Sequence, residues 1–218
     1  MGTRGLTVIV KDNQIKLSNY GQWDSYFDYT GIKFLEFCKE NLNEERKIKN
    51  FSEKVDLLQD ITNDTEFRNK LNKLLEMFRD EKTYFLGINE LLPQFSRDTG
   101  VKILDIINNL STFDFRDKKY PVFVDLDVCA IEYINVIDLD KQKVYMLRDT
   151  YIKGFKSLRV NPIIEETFIK RGFECYLSYK LDKIPSIKTA KKQYEKTVIK
   201  EEETEEIRST LLNKRVDK

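Results

Sequence analysis

The chain contains no histidine. This removes the commonest general base near neutral pH and the commonest metal ligand. A Ser-His-Asp or Cys-His catalytic set cannot be assembled from these residues. Cysteine is sparse: Cys38, Cys129 and Cys175 lie far apart. No CxxC zinc or redox motif exists, and the three read as buried thiols in a reducing compartment. No apolar run approaches the ~18 residues that span a membrane. The N-terminus lacks a signal peptide's apolar core, and Leu6 stands where a myristoylation motif places Ser or Thr. A cytoplasmic protein without membrane contact is the expectation. An excess of one charge is lacking too, since 38 basic and 37 acidic residues give a net charge of +1. That balance provides no broad footprint for nucleic acid, which is not expected as a partner. The P-loop, the GxGxxG fingerprint and the HExxH motif are all absent, and no cofactor is expected.

What is present fits a soluble α+β protein. Hydrophobic residues make up 40% and charged residues 34% of 218, enough for one domain with an appendage. Residues 6–10 are apolar and mostly β-branched, residues 11–14 form a turn, and residues 15–17 alternate, so the start reads as a β-hairpin. Gly21 and Gly31 bracket a loop with Trp23, Asp24, Tyr26, Phe27, Asp28 and Tyr29. A helix follows, with Phe34, Leu35, Cys38 and Leu42 on its apolar stripe. Residues 44–52 read as a charged connection, and 53–60 as a short helix. Over 64–79, Phe67, Leu71, Leu74, Leu75 and Phe78 form a clear helical stripe, with Asn63 or Asp64 as cap. Residues 96–110 open another helix, capped by Ser96 or Asp98, with Ile103, Ile106, Ile107 and Leu110 on its buried face. Gly100 in its first turn points to a close neighbour. Residues 122–126 read as a strand, 129–137 and 144–147 as a hairpin, and 172–179 as a further strand. After residue 185 the chain becomes rich in Lys, Glu, Thr and Arg. The organisation expected is a 1–185 domain and a 186–218 charged helical or disordered tail. One antiparallel sheet, made from the N-terminal hairpin and the later meander and packed against a central helical block, accommodates this order.

Two constellations carry chemistry. Pairing of residues 3–10 with 15–22 would bring Thr3 and Arg4 beside Gln22, Trp23 and Asp24. An Arg4–Asp24 pair there could hold a ligand or simply tie the chain terminus to the first loop, and the sequence leaves both open. The acidic residues Asp125, Asp127, Glu132, Asp138 and Asp140 could converge on a hard cation. Each Asp pair flanks a turn whose side chains usually face water, so no metal site is expected. The aromatic loop could stack a base, although clustered aromatics beside a hairpin more often cap a core.

The chain resembles an uncharacterised family of phage, prophage and bacterial hypothetical proteins with fungal relatives. The opening Met1-Gly2-Thr3-Arg4-Gly5-Leu6-Thr7 and the run Tyr20-Gly21-Gln22-Trp23-Asp24-Ser25-Tyr26 are similar to its YGQWDGYP loop, with Ser25 and Phe27 in place of Gly and Pro. Residues 96–104, SRDTGVKIL, resemble its SRDxGxKIL block. Residues 129–145 resemble its C-E-[WY]…VIDLD…VY block, with Glu132 two places late after Cys129. The resemblance covers residues 1–185. It implies that Arg4, Gln22, Asp24, Arg97 and Asp98 share one core site, and it implies no activity.

Together these readings give a candidate ligand-binding set of Thr3, Arg4, Gln22, Trp23, Asp24, Tyr26, Arg97 and Asp98. The function expected is a non-catalytic interaction or small-ligand-binding protein of mobile-element type. Its partner would be a host or phage protein or a small polar ligand, and its role would be to counteract a host defence system. The alternative is an amino-terminal-nucleophile-like hydrolase using Thr3 with Arg4, Gln22 and Asp24. Gly2 ahead of Thr3 would then require a further cleavage to free the α-amine.

Overall fold

A computed structural model describes residues 3–76, 92–111, 119–124, 126, 130–149 and 160–197. The chain divides into two units, Met1–Ile184 and Pro185–Lys218. The second contains a helix over 187–197.

Strands β1 (Gly5–Lys11) and β2 (Gln14–Gly21) form the expected hairpin. Its two turn residues, Asp12 and Asn13, both take left-handed φ values, 55° and 53°. This is the type I′ geometry that matches strand twist. Their amides donate to the Asp140 carboxylate, each at 2.8 Å. The sheet continues through β5 (Tyr133–Asp138), β6 (Lys143–Asp149) and β7 (Phe173–Lys180), in the order β2-β1-β5-β6-β7. The fold is α+β, and hairpin and meander share one sheet. Their junction is parallel, from Gly5↔Tyr133 to Val10↔Asp138, so the sheet is mixed rather than antiparallel throughout. The cause is topological. β2 ends at Gly21 beside Gly5, and β5 begins beside Gly5 as well. The helical connection returns to the end of the sheet it left.

Both faces of the sheet are covered, which is why Leu6, Val8, Ile9 and Val10 are all buried. One face, with Leu6, Val8, Ile134, Val136, Tyr145 and Leu147, packs on Ile164 and Phe168. Ile164 belongs to α5 (Pro162–Thr167) and Phe168 follows it. The sequence reading placed no helix there, although Asn161 and Pro162 form a start signal. Asn161 accepts from the Ile163 amide at 3.1 Å. The opposite face receives α1 (Ile32–Asn41). At its start, a Cβ on Gly31 would stand 2.8 Å from Met146 Cε.

Four local expectations are corrected. Residues 44–52 are not a connection, because α2 spans Glu45–Val55. Ile48, Phe51 and Val55 form its buried stripe, a helical spacing carried by a mostly charged segment. The short helix expected over 53–60 is therefore the end of α2 followed by β3 (Leu58–Asp60). β3 pairs in parallel with β4 (Tyr120–Val122) in a separate two-stranded sheet. The strand expected over 122–126 thus begins earlier, and Val124 adds one parallel bridge to Ser18. Helix α3 (Thr65–Glu76) is capped by Asp64, which accepts from the Phe67 amide at 2.8 Å. The helix expected after Ser96 is a 3-10 turn, Gly100–Lys102, running into α4 (Ile103–Asn108). Ile103, Leu104 and Ile107 are its buried residues, while Ile106 is half-buried.

Candidate functional site

The loop after β2 is tied at several points. The Ser25 amide donates to the Thr3 carbonyl at 3.3 Å, and the Thr30 amide and hydroxyl both donate to the Asp24 carbonyl, at 3.3 and 2.6 Å. The Gly31 amide donates to the Tyr26 carbonyl at 3.2 Å and closes a π-helical turn over Phe27–Gly31. Asp24 holds a left-handed φ of 51°, a conformation that Asp tolerates better than most residues. Gly5 makes this packing available, since a Cβ there would lie 2.6 Å from Ser25 Cβ. Phe27 turns into the core, while Trp23, Tyr26 and Tyr29 remain 55%, 38% and 45% exposed. The loop aromatics therefore do not all cap the core. The Tyr26 and Tyr29 ring centroids are 6.5 Å apart, and Lys33 Nζ lies 3.8 Å from the centroid of Tyr29.

The second wall is the segment 93–100. Pro93–Phe95 forms a 3-10 turn. Ser96 Oγ accepts from the Asp98 amide at 3.1 Å, and the Thr99 hydroxyl donates to the Pro93 carbonyl. This compact turn docks on the end of β2. The Gln22 amide donates to the Arg97 carbonyl at 2.9 Å, Trp23 Nε1 to Asp98 Oδ1 at 3.1 Å, and Asn19 Nδ2 to the Gly100 carbonyl at 3.0 Å. Gly21 and Gly100 face each other, and a Cβ on Gly21 would stand 3.2 Å from Gly100 Cα. Gly100, at φ 49°, has the close neighbour its position implies.

Gln22, Trp23, Arg97 and Asp98 are thus joined directly. Thr3 reaches the group through Ser25, and the Gln22 Oε1 accepts from the Tyr20 hydroxyl at 2.7 Å. Arg4 is fixed on its other side, its carbonyl accepting from the Glu132 and Tyr133 amides at 3.0 and 3.3 Å. Among the described residues no ion pair joins Arg4 to Asp24. The half-buried Arg4 and exposed Asp24 do not close a structural tie. Among the described residues no cluster of three or more metal-ligating side chains occurs. Asp138 accepts from the Lys141 amide at 2.9 Å and from Asn161 Nδ2 at 3.0 Å, so it holds the β5–β6 turn and the start of α5. Asp125, Asp127 and Cys129 lie outside the described residues. Tyr29 was absent from the expected set. The period of the loop gave no sign that it would face outward with Trp23 and Tyr26, because the π-helical turn is set by tertiary contacts. No helix among the described residues is long and apolar enough to cross a membrane. No protein-family model matches the chain, and neither a curated protein nor a solved structure matches it.

Proposed function

We propose that the protein is a non-catalytic binding protein that engages a protein partner through Trp23, Tyr26 and Tyr29, with Arg97 at their border. The observation that carries this reading is the exposure of three large aromatic side chains on a loop whose backbone is tied at Thr3, Asp24, Tyr26 and Arg97. Trp, Tyr and Arg are the residues that most often supply binding energy at interfaces. Rigid aromatics also lose little conformational entropy when they are covered. The phage-like resemblance of the sequence adds that the partner belongs to a host defence system which this protein counteracts. A hydrolase based on Thr3 would need a base within hydrogen-bond reach. The contacts at Thr3 and Gln22, to Ser25 and Tyr20, are those of a structural turn.

The test compares the protein with its Trp23→Ala/Tyr26→Ala double variant as bait in bacterial host lysate, with quantitative mass spectrometry. A partner retained by the former and depleted at least about tenfold by the latter is expected, because truncating one hot-spot aromatic costs roughly 2 kcal/mol or more. Identical captured sets would refute the aromatic surface. Both side chains are exposed and the Trp23–Asp98 hydrogen bond is a surface one, so the double variant should lose no more than about 1–2 kcal/mol of unfolding free energy and stay folded.

A further inference from the structure

The sheet face beneath the 23–31 loop carries polar side chains at its centre. Pairing places Thr7 of β1 between Asn19 of β2 and Asn135 of β5, and Met146 of β6 beside Asn135. Strand alternation puts this row on the face opposite Leu6, Val8, Ile134 and Val136. It is the face on which Gly31 stands against Met146 Cε and the Phe27 ring. Thr7 and Asn135 are 2% and 3% exposed. Asn19 has an acceptor in the Gly100 carbonyl at 3.0 Å. The Thr7 and Asn135 side chains make no hydrogen bond among the described residues. Native cores rarely leave such buried groups unmet. A third polar group adjoins them. Ser25 Oγ lies 2.8 Å from where a Gly5 Cβ would stand, so Ser25 takes the side-chain position of residue 5 on this same face. That position is two residues before Thr7 and opposite Tyr133, itself two before Asn135. Ser25 is 4% exposed, and among the described residues its hydroxyl makes only a 3.5 Å contact with the Gly21 carbonyl.

We infer that Thr7, Asn135 and Ser25 hold one buried water molecule, which fastens the aromatic loop to the sheet. Side chains opposite each other on neighbouring strands start about 5 Å apart, and those two residues apart on one strand about 7 Å apart. The three polar ends make no direct bond to one another, and a water about 2.8 Å from each spans such gaps. It accepts from an Asn135 side-chain N–H and from the Thr7 hydroxyl, and it donates to Ser25 Oγ. Three bonds are the usual number for a buried water. The Ser25 proton stays directed at the Gly21 carbonyl. The next row on this face, Leu17, Ile9 and Ile137, has larger side chains. Thr7 and Asn135 in the middle row leave the ~30 Å³ that a water takes up. None of the three groups is charged, which suits a neutral molecule over an ion. All three are almost fully covered, which suits nothing larger than water. Ser25 sits between Asp24 and Tyr26, so the bridge holds the loop from below. The inference concerns how the loop is held, and it stands whether or not Trp23, Tyr26 and Tyr29 bind a partner.

The test joins a high-resolution crystal structure of the full chain with two conservative variants. One ordered density peak within hydrogen-bond distance of Thr7 Oγ1, Ser25 Oγ and the Asn135 amide is expected. Thr7→Val then separates a water-bound hydroxyl from a dry one by sign. Removing a hydroxyl that has no partner would lower the unfolding equilibrium constant, because a desolvation cost disappears. Removing one that is bonded to water is expected to raise that constant at least about threefold. The Gly31 amide, whose bond to the Tyr26 carbonyl closes the loop, reports on the fastening. Thr7→Val and Ser25→Ala are each expected to speed its hydrogen exchange at least about threefold beyond any change at Val8. The double variant should exceed neither single variant by much, because both cut the same bridge. An Asn135 amide bonded directly to protein groups, no density between the three side chains, or a Thr7→Val variant more stable than the parent would each overturn the inference. So would a Gly31 amide that both variants leave unchanged, or effects that add in full.

Discussion

At the residue scale, two glycines and one aspartate bear unusual constraints. Gly100 holds a positive φ of 49°, and Gly5 has no room for a Cβ, which would meet the Tyr133 carbonyl oxygen at 2.8 Å as well as Ser25. Gly100→Ala should cost about 1–2 kcal/mol from left-handed strain alone. Gly5→Ala should cost more, because backbone stands on one side, and urea unfolding of the two variants should rank them so. Asp138 is fully buried, and burial lifts its carboxyl above the usual Asp range, an effect partly opposed by the hydrogen bonds from Lys141 and Asn161. A folded-state value raised in this way gives stability that is present below the ordinary value of 3.8 and fades as pH climbs through the raised one. Asp138→Ala leaves the buried Asn161 amide and the part-buried Lys141 amide without their acceptor and should cost roughly 1–3 kcal/mol. The stability gap between parent and variant should be widest in acid and narrow with rising pH. A gap that widens with pH would show that the carboxylate, not the acid, is the form the fold prefers.

At the element scale, α2 shows how a helix can be hidden in a charged segment. Its seam is only Ile48, Phe51 and Val55, and the six residues from Glu44 to Lys49 hold five charges. What fixes the helix is tertiary: Phe51 is fully buried, with its ring centroid 5.7 Å from that of Phe37 of α1. Phe51→Ala should therefore cost about 3–5 kcal/mol. Asp64→Ala, which removes only the cap of α3, should cost about 1 kcal/mol. Equal costs in chemical denaturation would mean that α2 contributes no more to the core than a surface cap does. By contrast, the hairpin was legible in advance, because Asp12-Asn13 between apolar runs is local turn chemistry, independent of what packs against it.

At the scale of the whole molecule, β1 and β5 form the centre, each flanked by a strand on both sides. Both faces of β1 are buried. Their amides should exchange with solvent most slowly, close to the rate set by global unfolding. Within the hairpin, the turn residues Asp12 and Asn13 donate their amides only to the exposed Asp140 carboxylate, so they should exchange far faster than the Val8 and Val136 amides of the buried strands, and comparable protection by NMR exchange would contradict this ranking. Contacts such as Gly5↔Tyr133 join distant parts of the chain, so folding should be slow for the chain's size, in the range of milliseconds to seconds.

The sequence by itself determined the α+β class, the hairpin, a cap of α3 at Asn63 or Asp64, and a close neighbour at Gly100. Each of these rests on short-range sterics or period. Only the tertiary structure decided that β5 joins β1 in parallel, since the direction of a strand depends on where a connection of more than a hundred residues returns. It likewise decided that Trp23, Tyr26 and Tyr29 face outward while Phe27 faces inward, because a π-helical turn follows no fixed sequence period.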